Sequence, residues 1–224
     1  MDMGRELTGR FIVFEGVEGA GKTTQIRAIA DWLQASLPSE VPIFVTREPG
    51  GTALGQGIRK MLLEEDSPDI IAELLLYAAD RAQHVAAVLK PHLEKGSIIL
   101  CDRYTDSTVA YQGYGRGIDL NLIAQLNGIA TGGLKSDLTF WLDVNAAVGL
   151  DRVRERGAFD RIEQADLSFH QNVQRGFSQL AKAHPQRIVR IDGNRSRDRV
   201  QQDIQEILTQ RLGLEFQEID EPLG

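Results

Sequence analysis

Five short runs of β-branched and apolar residues, spaced along the chain with helical patterns between them, constrain its fold most tightly. They are Phe11–Glu15, Pro42–Thr46, Ser97–Cys101, Leu138–Val144 and Arg187–Ile191. Each is near-continuously apolar rather than alternating, the mark of strands covered on both faces. Helical patterns cover residues 22–36, 54–63, 120–130, 146–156, 168–183 and 196–212. A further stripe at three-and-four spacing joins Ile71, Leu74, Leu75, Ala78, Ala82, Val85 and Leu89. Strands alternating with helices predict βαβ units, hence a parallel sheet with right-handed crossovers. In such α/β sheets ligands gather beyond the carboxyl ends of the strands.

The 224 residues suit one domain spanning 1–224. No internal repeat, low-complexity tract or interdomain linker interrupts them. Loops are marked by Leu37–Glu40, Glu64–Pro68, Gly113–Gly117 and Thr131–Gly133, and the acidic end, Glu215–Gly224, is expected to be loosely held. The N-terminal ten residues carry charge and no apolar h-region, and no run approaches the length of a membrane span. The single cysteine, Cys101, excludes a disulfide framework and reads as a buried, inert thiol. The cytoplasm is the expected compartment. A formal charge of −7 argues against a general nucleic-acid binder. Yet Arg152, Arg154, Arg156 and Arg161 fall within ten residues, a cationic cluster suited to a small anionic ligand.

Directly after the first apolar run stands Gly16-Val-Glu-Gly-Ala-Gly-Lys-Thr23. It fits G-x-x-x-x-G-K-[ST] in the required context, strand before and helix after. Its glycines let successive N–H groups turn inward and form an anion nest at a helix N-terminus. Lys22 is expected to reach the β- and γ-phosphates of a nucleotide, and the Thr23 hydroxyl to ligate Mg²⁺. The chain is thus expected to be a P-loop NTPase of three layers.

Polar clusters follow three other runs: Thr46-Arg-Glu-Pro-Gly-Gly51, Asp102-Arg-Tyr104, and the arginine-rich stretch ending Asp160-Arg-Ile-Glu163. Singly these read as a turn, a strand-end ion pair and a solvated helix face. The fold would bring all three to the rim that holds the phosphate loop. A phosphate monoester has a second pKa of about 6, so as an acceptor it is already ionised near neutrality and needs no general base. What such a transfer needs is Mg²⁺ and several cations that hold two polyanions together. A lysine and many arginines without an evident base therefore fit a kinase acting on a nucleoside monophosphate.

On FEGVEGAGKTT, TREPGGT, YAADRAQH, DRYTDSTVAYQG, the Gly115–Asp119 loop, FWLDV and RVRERGAFDRIE, the sequence resembles the thymidylate kinase family over essentially its whole length. The resemblance implies a five-stranded parallel sheet flanked by helices, with a LID over ATP at about residues 151–165. It also implies transfer of the γ-phosphoryl of ATP to dTMP, giving dTDP and ADP for dTTP synthesis. ATP would lie on Gly16, Val17, Glu18, Gly19, Ala20, Gly21, Lys22 and Thr23, with Arg152 and Arg156 from the LID. Acceptor contacts carried over are Glu18 toward the sugar 3′-hydroxyl side, Arg47 near the phosphate and Pro49 shaping the base pocket. Tyr77 would stack on thymine, Arg81 bond its O4 and Arg103 hold the phosphate. Thr108, Tyr111 and Gln112 would read the pyrimidine edge and exclude a ribose 2′-hydroxyl.

The catalytic set implied is Lys22, Arg103, Arg156 and Arg161. Thr23 and Asp102 would hold Mg²⁺, directly or through water. Eukaryotic members carry an arginine where this chain has Gly19, whereas bacterial-type members supply it from the LID, where Arg156 is the best match. Asp160 and Glu163 would either face Mg²⁺ or orient Arg161, and Ile191–Asn194 would flank adenine. A homodimer is implied as well, with the helix faces around Leu120–Ile129 and the long helix as candidate surfaces. The alternatives are a kinase for another (deoxy)nucleoside monophosphate and a P-loop regulatory ATPase. A GTP switch would need an N-K-x-D element, and no asparagine here precedes a lysine.

Overall fold

A computed structural model of the chain describes residues 8–63, 68–157 and 160–212. The elements run β1 (Arg10–Glu15), α1 (Lys22–Ser36), β2 (Ile43–Arg47), α2 (Ala53–Leu63) and α3 (Ile70–His84). A π-helical turn, Val85–Leu89, then carries α3 into the short α4 (Lys90–Glu94). Next come β3 (Ile98–Asp102), α5 (Thr105–Thr108) with a second π-helical stretch over Val109–Gly115, and α6 (Leu120–Thr131). The remainder is β4 (Leu138–Asp143), α7 (Ala146–Arg156), α8 (Leu167–Ala183), β5 (Ile188–Asp192) and α9 (Arg197–Leu212).

The strands form one five-stranded sheet in the order β2-β3-β1-β4-β5, and every pairing is parallel. Central β1 alternates between two apolar layers. Ile12 and Phe14 join a cluster with Ile26, Ile29 and Leu33 of α1 and Val200, Ile204 and Leu208 of α9. Phe11 and Val13 join another with Val85, Leu89 and Leu93. Parallel register sets the carboxyl ends level: Phe14 and Arg47 both lie opposite Asp102. Loops leaving β1, β2 and β3 therefore open on one rim.

Local chemistry fixes the helix ends. Asp69, Asp119 and Asn145 cap α3, α6 and α7 by accepting from backbone N–H groups two or three residues on. Gly132 and Gly157 end α6 and α7 in the left-handed conformation.

Three sequence expectations need correction. The α3 stripe is not a core face: Leu74, Val85 and Leu89 are buried, but Ile71 and Leu75 are exposed and the residues turned inward include Glu73, Asp80, Arg81 and His84. This helix turns its polar side to the β2–α2 loop and to Gln112, and the π turn breaks the 3.6 spacing on which the stripe was extrapolated. Gly113–Gly117, expected as a loop, begins inside the second π-helical stretch. Strand β2, expected to be covered on both faces, is the sheet edge, and Val45 is exposed. The acidic end at 215–224 and most of the 64–68 loop lie outside the described residues.

Candidate active site

Above the rim lies one cleft of about 1140 Å³, with walls from the phosphate loop, the β2–α2 loop, α3, the β3–α5 junction and residues 160–164. That is more room than one drug-sized ligand requires. Of the residues the sequence pointed to, Glu18–Thr23, Arg47, Pro49, Tyr77, Arg81, Asp102, Arg103, Thr108, Tyr111, Gln112 and Arg161 all line it. Gly16 and Val17 sit beneath as the loop's entry. Arg152 and Arg156 belong to α7 at the loop's other side, and the Arg156 side chain lies outside the described part of the molecule.

The phosphate loop takes its shape from glycines at positive φ: Gly16, Gly19 and Gly21 at 147°, 70° and 90°. Gly19 is constrained twice. A Cβ there would collide with the Gly149 carbonyl of α7, and one on Gly149 would collide with the Glu18 carbonyl. The phosphate loop and α7 thus pack backbone to backbone, leaving no volume for a side chain at Gly19. Any cation above the loop must come from elsewhere, and α7, the helix filling that space, carries Arg152, Arg154 and Arg156. Arg152 already reaches the Gly19 carbonyl at 3.4 Å, whereas Arg154 pairs with Asp151.

Lys22 folds back so that Nζ donates to the Gly16 and Val17 carbonyls, both at 3.1 Å. Burial, with the charge of Arg103, lowers its pKa to about 8. Thr23 Oγ1 donates to Asp102 Oδ2 at 3.2 Å, and Asp102 Oδ1 is buried without a partner among the described residues. A hydroxyl and a carboxylate with an oxygen to spare beside a phosphate nest are the hard donors that Mg²⁺ takes. Among the described residues no group of three or more His, Cys, Asp or Glu could hold a metal.

Beside the loop Arg103, left-handed at φ 72°, spreads its guanidinium against it. Nη1 donates to the Gly16 carbonyl and Ser107 Oγ, Nη2 donates to Glu18 Oε1 at 2.8 Å, and Cζ lies 4.8 Å over the Tyr111 ring. Tyr111 Oη donates to Glu18 at 2.7 and 2.8 Å. Burial pushes the Glu18 pKa upward, but Arg103, His170 and Lys22 outweigh it and hold the carboxyl at about 2. Glu18 is therefore anionic and works only as an acceptor.

The β2–α2 loop is bound to α3 at three points. Thr46 Oγ1 meets His84 Nε2 at 2.7 Å, Glu48 pairs with Arg81 and His84, and Asp80 accepts from Gly50 N. Asp80, raised by burial to about 6, stays close to its protonation point. The Glu48–Pro49 peptide is cis. Arg81, 2% exposed, donates to Glu48, Thr108, Asn127 and the Tyr104 carbonyl, so it braces the cleft floor with every donor nitrogen engaged. Gln112 donates to Glu73, and Arg161 donates to Glu73 and to the Leu62 carbonyl. Asp160 accepts from the backbone of Ile162 and Glu163, forming the turn that presents Arg161.

Sequence reasoning missed Glu15, Glu48, Arg59, Ser107 and His170. Arg59 lines the cleft beside Arg47, and its pKa is lowered by burial and by that neighbour. Glu15 accepts from Tyr104 N, Ser107 N and Ser107 Oγ, and burial with the Asp106 charge raises it to about 7. A carboxylate ending an apolar strand was the available signal for Glu15. Arg59, on a helix, carried none.

The comparisons with known proteins agree with this geometry. A sequence model of the thymidylate kinase family matches residues 14–204. The chain is similar to the thymidylate kinase of Trichodesmium erythraeum, 56% identical over 223 residues covering 92% of this chain and 97% of the relative. It is similar also to that of Trichormus variabilis, 58% identical over 208 residues covering 91% and 97%. Among solved structures, the thymidylate kinase of Ehrlichia chaffeensis superposes with a TM-score of 0.74 at 34% identity, covering 89% of this chain and 98% of that one. With its parallel sheet, its phosphate loop and this cleft, the chain belongs to the thymidylate kinase family, nucleoside monophosphate kinases that phosphorylate dTMP to dTDP with ATP.

Proposed function

We propose that the single cleft holds both substrates, with ATP on Gly16–Thr23 and dTMP between Arg103, Tyr77 and the β2–α2 loop. The observation that carries this reading is the contact of one loop with both sides. Lys22 and Thr23 lie at the donor end, while Glu18 of the same loop is bonded to Arg103 and Tyr111. On entry of dTMP its phosphate takes the Arg103 guanidinium, with Arg47 completing the clamp. Tyr77 stacks on the base, Pro49 bounds its pocket, Thr108 and Gln112 read its edge, and Arg81 offers it the one Nη2 hydrogen that its protein partners leave over. Tyr111 fills the space of a ribose 2′-hydroxyl. Lys22 leaves the loop carbonyls for the β- and γ-phosphates and follows the transferred group.

Because the acceptor is already ionised, the residues orient the two phosphates in line and neutralise charge rather than remove a proton. Thr23 and Asp102 would hold Mg²⁺, which would supply positive charge to offset that of the phosphates. Arg161, bonded to Glu73, steadies the wall next to the transferred group, and Arg156 brings the remaining cation as the LID, residues 151–165, closes. Arg156→Ala is expected to lower kcat by about 10³-fold with the KM for dTMP nearly unchanged, the signature of a contact made in the transition state. An unchanged kcat would remove Arg156 from the mechanism.

The protein acts as a single domain, in the cytoplasm where ATP and dTMP meet, and as a homodimer. Exposed Ile70, Ile71 and Leu75 on α3 and Leu120, Leu122 and Ile129 on α6 support the dimer. Ile71 and Leu75 share one side of α3 and Leu122 and Ile129 share one side of α6, and these two helices pack on each other.

A further inference from the structure

His170, on α8, is fully buried, and neither ring nitrogen makes a hydrogen bond among the described residues. The Phe169 ring lies edge-on to it at 5.3 Å. Packing alone would favour an apolar side chain there, because a buried donor or acceptor without a partner costs stability. One polar group faces it: Nδ1 lies 3.4 Å from Glu18 Oε2. A movement of about half an ångström would bring that pair to ordinary hydrogen-bond length.

The other partners of Glu18 are Arg103 and Tyr111. Both line the cleft, whereas His170 does not. On the proposed reading Arg103 turns to the acceptor phosphate and Tyr111 to its sugar, so Glu18 would lose two bonds when dTMP enters. We propose that His170 is a positioning residue that holds Glu18 Oε2 from behind, keeping the carboxylate aimed at the acceptor while its cleft-side partners engage the substrate. This rests on the reading of Glu18 as an acceptor contact, and it adds a buried partner that acts through Glu18 without touching substrate.

A double-mutant cycle on the full chain tests it, with kcat and KM for dTMP measured at saturating ATP and Mg²⁺. His170→Phe keeps the ring volume and removes Nδ1, so the KM for dTMP should rise about tenfold while kcat stays within about twofold. His170→Asn, whose amide nitrogen falls near the Nδ1 position, should keep most of the affinity. His170→Gln, whose amide falls near Nε2, should not. In a Glu18→Gln background His170→Phe should have no further effect. Equal effects of His170→Phe with and without the Glu18 carboxylate would overturn the proposal, as would a His170→Asn variant no better than His170→Gln. Melting temperatures identify loss by misfolding, and if the phenylalanine variant does not fold, the asparagine and glutamine pair decides. Repeating Glu18→Gln with an acceptor lacking the 3′-hydroxyl separates the two ideas. A penalty independent of that hydroxyl would refute the sugar contact of Glu18 while the cycle still judges His170.

Discussion

Replacing Gly149 by alanine should damage ATP use from a position that touches no substrate. Gly149 lies inside α7, where alanine in place of glycine ordinarily adds about 1 kcal/mol of helix stability. Here the new Cβ would overlap the Glu18 carbonyl and press on Val17 Cγ2 at 3.4 Å. Restoring normal contact requires the phosphate loop and α7 to part by about 1 Å. Crowding of this kind costs about 1–3 kcal/mol, so net stability should fall by at most about 2 kcal/mol. For a chain of this length that lowers Tm by no more than about 8 °C. The catalytic effect should be larger, since a misplacement of about 1 Å at a reacting site costs about 10²-fold. Calorimetry and a steady-state assay of kcat/KM for ATP read the two effects separately. The expected result is a 10- to 100-fold lower kcat/KM (order of magnitude) with a modest change in Tm. A variant that melts a few degrees higher and keeps wild-type kinetics would refute the claim that the phosphate loop and α7 are packed in contact.

Lys22 gives a pH prediction. Its pKa of about 8 in the ligand-free protein means kcat/KM for ATP, which reports the free enzyme, should fall about tenfold per pH unit above pH 8. The same depression has the opposite effect on folding. Between about pH 8 and 10.5 the unfolded chain binds the extra proton, so this group's contribution to stability rises with pH across that window. A flat kcat/KM profile to pH 9.5 would contradict the first part, and Lys22→Met should abolish both. For the homodimer, Leu75→Glu on the exposed side of α3 should halve the mass seen by sedimentation velocity at micromolar concentration; a wild-type monomer at that concentration would contradict the assignment.

The sheet was legible because apolar, β-branched runs mark strands, and all five runs became strands with ends shifted by a residue or so, although edge strand β2 is not covered as its pattern implied. The phosphate loop was legible because its chemistry is local. What the sequence hid depends on three-dimensional partners. The apolar stripe of α3 pointed to a core, yet Ile71 and Leu75 face outward and Glu73, Asp80 and Arg81 face in, because this side of the helix bonds Gln112, Gly50 and Glu48. Gly19 reads as an omitted arginine, but its cause, the backbone of Gly149 against the loop, lies 130 residues further on. Glu15 and His170 resembled ordinary strand-end and helix residues until the fold set them behind Arg103 and Glu18.

The central claim is that this cleft joins ATP to thymidine monophosphate in particular. One coupled assay of ADP release with ATP and Mg²⁺, run against dTMP, dUMP, dCMP and dGMP in parallel, tests it most directly. dTMP should turn over rapidly and dUMP more weakly. The one missing methyl changes the specificity constant by about 10- to 200-fold. dCMP and dGMP should be hardly used. Equal turnover of dTMP, dCMP and dGMP would contradict it.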